Sequence, residues 1–460
     1  MNKGLYVRLP EDQSVNNRLL KSSILSISLL AVLFNAQQFR ACAAAGSVSK
    51  ARAAETAPAA TGASFFRDGD VPIVLLGDSI TEQREYTTFI ECYVLTHHPN
   101  WRVKFRNLGW SGDTMSFQRR VNFDTGLKRD ILPLHPVSMT IDFGMNDARA
   151  GEQGLDRYVE HARKLASELK KINCRFAFIS SSPEEKYEDA PGGSHYNLML
   201  EKYTDALRAV AEQEGVPFVD QLHPFIKAIE SGRQAGVLGK DGAPRLVPDA
   251  VHPNWAGQLV MADIILKGLG ADPLVSEVVL DAKRKSVVST RKCTVKTEKT
   301  EGNEILRFSR LDEALPMPIP EDARVTLDIP SLSVLSDLSG YTLRITNLPP
   351  GDYHINIDGV KAASHSADQL EKGVNLTMEC GPIKTQALEL FKSVIQKNDL
   401  FFDRWRKVQL FEVPKWLDDA NAEASRQAEL RRLDSEIEKM EKQIDDLRRP
   451  KPHQFAIVPQ

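Results

Sequence analysis

An excess of charge of either sign is missing from this chain. Its 460 residues hold 59 Lys and Arg against 62 Asp and Glu, a formal net charge of −3. Nucleic-acid binders usually show a basic surplus or patch, so that class is set aside. Cysteine is scarce: five residues, none in a Cys-x-x-Cys pair and none spaced as a metal-ligand set. No internal repeat points to a solenoid, and after residue 34 no apolar run is long enough to span a bilayer. The hydrophobic content of 42% is ample for a large core. The length suits about two to three domains.

What is present begins with an apolar run, Ser22 to Phe34, led by Arg18 and Lys21 and followed by small residues around Ala41-Cys42-Ala43. A basic lead, a short apolar core and a small-residue cleavage zone make a secretory signal. Residues 1–45 are therefore read as a signal peptide, with an N-terminal membrane anchor as the alternative. A periplasmic or extracellular location follows. Cys42 as a lipid-attachment site is disfavoured by the lead-in Phe39-Arg40-Ala41. Residues 46–64, rich in Ala, Ser and Thr, read as a flexible linker. An exported protein could oxidise its remaining thiols; a Cys293–Cys380 bridge is one option, while Cys174 reads as a buried thiol.

From residue 65 to 271 apolar strands alternate with helical stretches. Strands are expected at Val71–Leu76, Arg102–Leu108, Val137–Phe143, Arg175–Ser180 and Val216–Val219, and helices at Glu82–His97, Leu155–Lys171, Tyr196–Glu214 and Trp255–Leu269. Near-continuous apolar strands separated by helices predict a parallel sheet covered on both faces. Residues 272–381 shift to a small antiparallel β module, with alternation at Thr342–Thr346 and a turn at Pro349-Pro350-Gly351. Residues 382–460 read as helical. There Leu430, Leu433, Ile437, Met440, Ile444 and Leu447 step by three and four, an a/d seam of under three heptads. It fits either a homodimer zipper or a helix laid back on its own chain.

Four short islands fall where such a sheet places its ligands, beyond the carboxyl ends of the strands. Gly77-Asp78-Ser79 follows the first strand, Gly112-Asp113-Thr114 the second and Gly144-Met145-Asn146-Asp147 the third; Asp249-Ala250-Val251-His252 precedes the last helix. Serine is a poor nucleophile until a base takes its proton. Ser79 on a tight turn exposes its hydroxyl, and His252 is the candidate base. Asp249, three residues earlier, can accept from one ring nitrogen while the other faces the serine. A tetrahedral intermediate needs donors for its negative oxygen. The Ser79 and Gly112 N–H groups and the Asn146 amide can supply them. Taken singly, each island is also a common turn or helix cap; the ordered set carries the inference.

Together with Asn107-Leu108-Gly109-Trp110-Ser111 and Pro253, these blocks resemble the SGNH (GDSL) hydrolase family over roughly Pro72 to Leu269. The resemblance implies a flavodoxin-like three-layer sandwich, ester hydrolysis without metal or cofactor, and the catalytic set Ser79, Asp249 and His252. The oxyanion hole would be Ser79, Gly112 and Asn146. The stretch Asn398–Arg406 and the ending Leu447-Arg448-Arg449-Pro450 resemble the C-terminal part of large exported planctomycete-type members. Trp110, Met145, Arg149 and Trp255 flank the blocks and are candidate pocket residues. The expected activity is an exported serine esterase, with carbohydrate deacetylation as the favoured case. Lipid or thioester hydrolysis, or a non-catalytic polymer-binding protein, are the rivals.

Overall fold

The computed structural model describes residues 64–186, 194–239, 242–414, 416 and 419–460. The expected signal and linker lie outside the described residues, apart from Ser64. The described residues belong to one unit, Pro58–Gln460.

Five parallel strands form the first sheet: β1 Ile73–Gly77, β2 Phe105–Gly109, β3 Ser138–Asp142, β4 Arg175–Ile179 and β5 Phe218–Val219, in the order β2-β1-β3-β4-β5. This is the flavodoxin-like order, with its switch point between β1 and β3. The strands are almost wholly buried because helices cover both faces. The helices are Glu85–His97, Leu155–Lys171, His195–Glu214, Leu222–Gln234 and Trp255–Gly268. The first expected helix, Glu82–His97, begins three residues later, at Glu85. A short turn, Ser79–Glu82, ends at Gln83, and Arg84 takes φ 66° before the next helix starts. The break lets the chain turn sharply at the sheet edge, where Ser79 sits.

Beyond this layer lie two further sheets. One joins β6 Leu274–Asp281, β7 Ser286–Arg291, β10 Gly340–Thr346 and β13 Val374–Asn375, with β6 and β10 parallel. The other joins β8 Cys293–Glu298, β9 Leu306–Asp312, β11 Asp352–Ile357, β12 Val360–Ser366 and β14 His453–Pro459, in the order β12-β11-β14-β9-β8. Their inward side chains, among them Leu280, Phe308, Tyr341, Ile355, Phe455 and Ile457, make a second core. Two expectations are corrected here. The β region is not wholly antiparallel. The stretch after 382 is not all helix, because its last strand lies at the centre of the third sheet. Cys293 and Cys380 form no disulfide. Both are buried free thiols, and each Sγ donates to a main-chain carbonyl, of Glu277 and Thr377 respectively.

The helices Pro382–Phe402 and Asp419–Leu447 pack against each other and against the first layer. Leu430, Leu433, Ile437 and Ile444 are buried within the same chain, so the heptad seam is covered without a second copy. The zipper argument for a homodimer thereby loses its exposed stripe. Lys397 is buried and donates to both carboxylate oxygens of Glu91 at 2.7 and 2.8 Å, with Asn398 adding a bond at 3.1 Å. These contacts tie the C-terminal helix to Glu85–His97, the helix that follows the Ser79 turn. Among the described residues, no helix is long and apolar enough to cross a membrane.

Candidate active site

Close packing dictates the turn that holds Ser79. A Cβ on Gly77 would stand 2.0 Å from Thr81 Oγ1 and 2.6 Å from the Asp142 carbonyl, so only glycine fits. Asp78 then caps the short turn, its Oδ1 accepting from Ile80 N at 2.9 Å. Gly109 permits an equally close approach of the β2 end, since a Cβ there would meet Glu82 N at 2.1 Å. These contacts bring the 110–114 loop beside Ser79.

Three side chains meet in series. His252 Nε2 lies 2.9 Å from Ser79 Oγ, and His252 Nδ1 lies 2.8 Å from Asp249 Oδ2. The other carboxylate oxygen, Oδ1, accepts from the backbone N–H groups of Val251 and His252 at 3.0 and 2.7 Å. Partial burial would raise the Asp249 carboxyl, but the bonds from His252 and Val251 outweigh it and hold the group below its usual range. The turn is strained at Ala250, where φ is 74°. That left-handed residue folds the chain back so that Asp249 and the His252 ring share one side.

Asn146 points its Nδ2 at the Asp113 carbonyl, 2.9 Å away, and lies 3.4 Å from Asp78 Oδ2. Gly112, with φ +72°, occupies a conformation that suits glycine. Ser79, Gly112, Asn146 and His252 all line one open cavity of about 760 Å³. Beneath it lie buried carboxyls. Burial pushes Asp78 up to about 7 and Asp147 up to about 8, and lifts Asp142 well above the usual range. Nearby, Asp113 Oδ2 accepts from buried Arg120 Nε at 2.6 Å and its Oδ1 from Arg119 N at 3.0 Å. Asp130 lies 3.6 Å from the same guanidinium and receives the Trp405 indole N–H.

Of the four expected pocket residues, only Arg149 lines the cavity. Met145 is buried in the core, and its carbonyl accepts from the Tyr196 hydroxyl. Trp255 packs edge-on against Phe89 and beside Phe391. Trp110 is held edge-on by Trp405, with the Arg406 guanidinium 3.7 Å above its ring. Ser111 and Thr114 from the expected blocks line the cavity as well, together with three residues not singled out in the sequence: Gln118, Arg119 and Arg157. Arg119 and Arg120 are adjacent, yet one is exposed at the cavity and the other is buried. The only sequence sign was their closeness to the Gly112 island. The Asn398–Arg406 stretch also reaches the site. Arg406 Nη1 bonds Glu82 Oε2 at 2.9 Å, and that same oxygen accepts from Ser111 N at 2.6 Å. Among the described residues, no cluster of His, Cys, Asp or Glu could hold a metal ion.

A flavodoxin-like sheet with a Ser-His-Asp series at its carboxyl edge gives the chain an α/β hydrolase-like fold. Residues 75–260 match the model of the GDSL-like lipase/acylhydrolase family, and the chain is an ester-bond hydrolase. No curated protein matches the chain. Among solved structures, a gut microbial diltiazem-metabolizing enzyme is 22% identical, covers 86% of this chain and 98% of its own, and superposes with a TM-score of 0.71. It shares the fold across nearly all the described elements. A catalytic mutant of an acetylxylan esterase from Geobacillus stearothermophilus is 20% identical over 45% of this chain and 97% of its own, with a TM-score of 0.38. An alpha/beta hydrolase enzyme from the metagenome of Lake Arreo, Spain, gives 20%, 45%, 98% and 0.38.

Proposed function

We propose that the chain is an exported serine esterase that removes a short acyl group from a polar, hydroxyl-rich alcohol such as a carbohydrate. One observation carries the catalytic assignment: Asp249, His252 and Ser79 are linked at 2.8 and 2.9 Å in a cavity that Gly112 and Asn146 also line. Ser79 Oγ attacks the ester carbonyl carbon as His252 Nε2 takes its proton. The carbonyl oxygen becomes an oxyanion, held by the Ser79 and Gly112 N–H groups and by Asn146 Nδ2. Collapse breaks the carbon–oxygen bond to the alcohol, which leaves with the proton from His252 and so yields acyl-Ser79. Water then attacks that ester, gives its proton to His252, and the acid departs as Ser79 is restored. Asp249 keeps Nδ1–H engaged, so Nε2 stays free to accept.

The lining supports a polar substrate over a long-chain lipid. Besides the catalytic residues it consists of Ser, Thr, Gln and Arg side chains, with Ala150 and Val251 as its apolar members. The support for a carbohydrate is this polarity, since neither Trp110 nor Trp255 lines the cavity. Export rests on the signal-like leader in the sequence. The test is release of p-nitrophenol from its acetate. Ser79→Ala and His252→Ala should each lower kcat by several orders of magnitude. Equal rates in wild type and Ser79→Ala would remove the assignment.

A further inference from the structure

Three guanidinium groups converge on the cavity that holds Ser79. Arg119 comes from the loop after β2, Arg149 from the turn after β3, and Arg157 from the first turn of helix Leu155–Lys171. All three are exposed to it, no Asp or Glu lines it, and none of the three forms an ion pair among the described residues. Most other arginines that pack near this site do: Arg84, Arg120, Arg129 and Arg406 each meet a carboxylate.

Two of the three are nevertheless held. Arg149 hydrogen-bonds the Tyr196 hydroxyl, a phenol that burial pushes up to about 12 and so keeps neutral. The Gln118 amide, with its oxygen turned toward Arg157, accepts from that guanidinium at 3.1 and 3.2 Å. Arg119 lies against Gly112, where a Cβ would stand 3.1 Å from its Nε. Neutral neighbours fix the positions of Arg149 and Arg157 without cancelling their charge. Gathering like charges is unfavourable, and a bound anion relieves it. A guanidinium fork also matches a carboxylate or sulfate through two parallel N–H bonds.

We infer that this esterase selects substrates carrying an oxyanionic group, a carboxylate or a sulfate, near the scissile ester. The inference rests on the esterase reading and names its substrate class. Acetate release should be compared for O-acetylated glucuronate, O-acetylated glucose 6-sulfate and O-acetylated glucose. At low ionic strength, kcat/KM for at least one anionic sugar should exceed that for the neutral sugar by about tenfold or more. The gap should close as NaCl is raised, because charge steering is screened. Arg149→Gln and Arg157→Gln should each lower the anionic-to-neutral ratio by about five- to tenfold, mainly through KM, and lysine at either position should restore part of it. The carboxylate and sulfate arms show which oxyanion is taken. A wild-type ratio near one, with Ser79-dependent release from p-nitrophenyl acetate intact, would overturn the inference and leave the esterase standing. Loss of Ser79-dependent release from every ester would remove both.

Discussion

At the scale of single residues, the first layer is rich in carboxyls kept out of water. Asp263, on helix Trp255–Gly268, is 1% exposed, and burial lifts it to about 7. Lys267 lies 3.7 Å from it but has a closer partner, Asp337, at 2.6 Å. A carboxyl raised in the folded state holds a proton there that the unfolded chain has already lost. Folding stability therefore falls as pH rises from about 4 to about 7. His97 and His98 act in the opposite sense over part of that range. Burial lowers them to about 3 and about 4, so stability rises with pH until about 6.5. The wild-type curve mixes these effects, and the variant isolates one. Asp263→Asn should raise the stability at pH 8 relative to that at pH 5 by about 2–4 kcal/mol compared with wild type. Chemical denaturation at the two pH values reads this directly, and equal differences in both proteins would show that Asp263 ionises freely. No such property could be read from the sequence, where Asp263 is one acid in an apolar helical run. The Ser79, Asp249 and His252 side chains were legible, because short-range spacing and chain order reveal them. Arg119 and Arg157 were not, since their convergence depends on how two separate connections fold over the sheet edge.

At the scale of elements, the stretch Phe402–Arg406 is a brace for the Gly112 loop. Arg406 covers Trp110 and fixes Glu82, and Glu82 in turn holds Ser111 N, one residue before Gly112. Arg406 touches no reacting atom in this scheme and is a positioning residue. Arg406→Ala should lower kcat by about ten- to a hundredfold with little change in KM, because on the mechanism proposed above a displaced Gly112 N–H weakens the transition state more than the ground state. Arg406→Lys should recover only part, as it keeps the charge but loses the flat stack on the indole. A change confined to KM would contradict the brace. The parallel sheet was legible from its buried strands and intervening helices. The break at Gln83–Arg84 was hidden, because Glu82–His97 keeps a helical pattern and only tertiary packing at Gly77 and Gly109 forces the turn.

At the scale of the whole molecule, distant parts of the chain complete one another. The helix pair after residue 382 lies on the hydrolase layer, and β14 lies between β9 and β11. Phe455 and Ile457 are buried in the second core. A protein ending at Pro452 would leave two strand edges unpaired and that core open. Its Tm should fall by several degrees or more, with aggregation on refolding. An unchanged Tm by calorimetry would mean that the third sheet stands without its central strand. Alternation along His453–Pro459 was too short to announce a strand, and no local signal names its partners. Pairing between Ile357 and Phe455 is a matter of long-range register, which composition and periodicity do not carry.

The late arrival of β14 bears on how the polypeptide is made. A ribosome adds about 5–20 residues per second, and close to a hundred residues separate β11 from its neighbour β14. For some seconds after β9 and β11 have been translated, both must wait with open hydrogen-bonding rims. The nascent β layer is thus committed to an unfinished state until translation nears the His453 codon, and in that interval it is a natural client for a chaperone or a secretion channel.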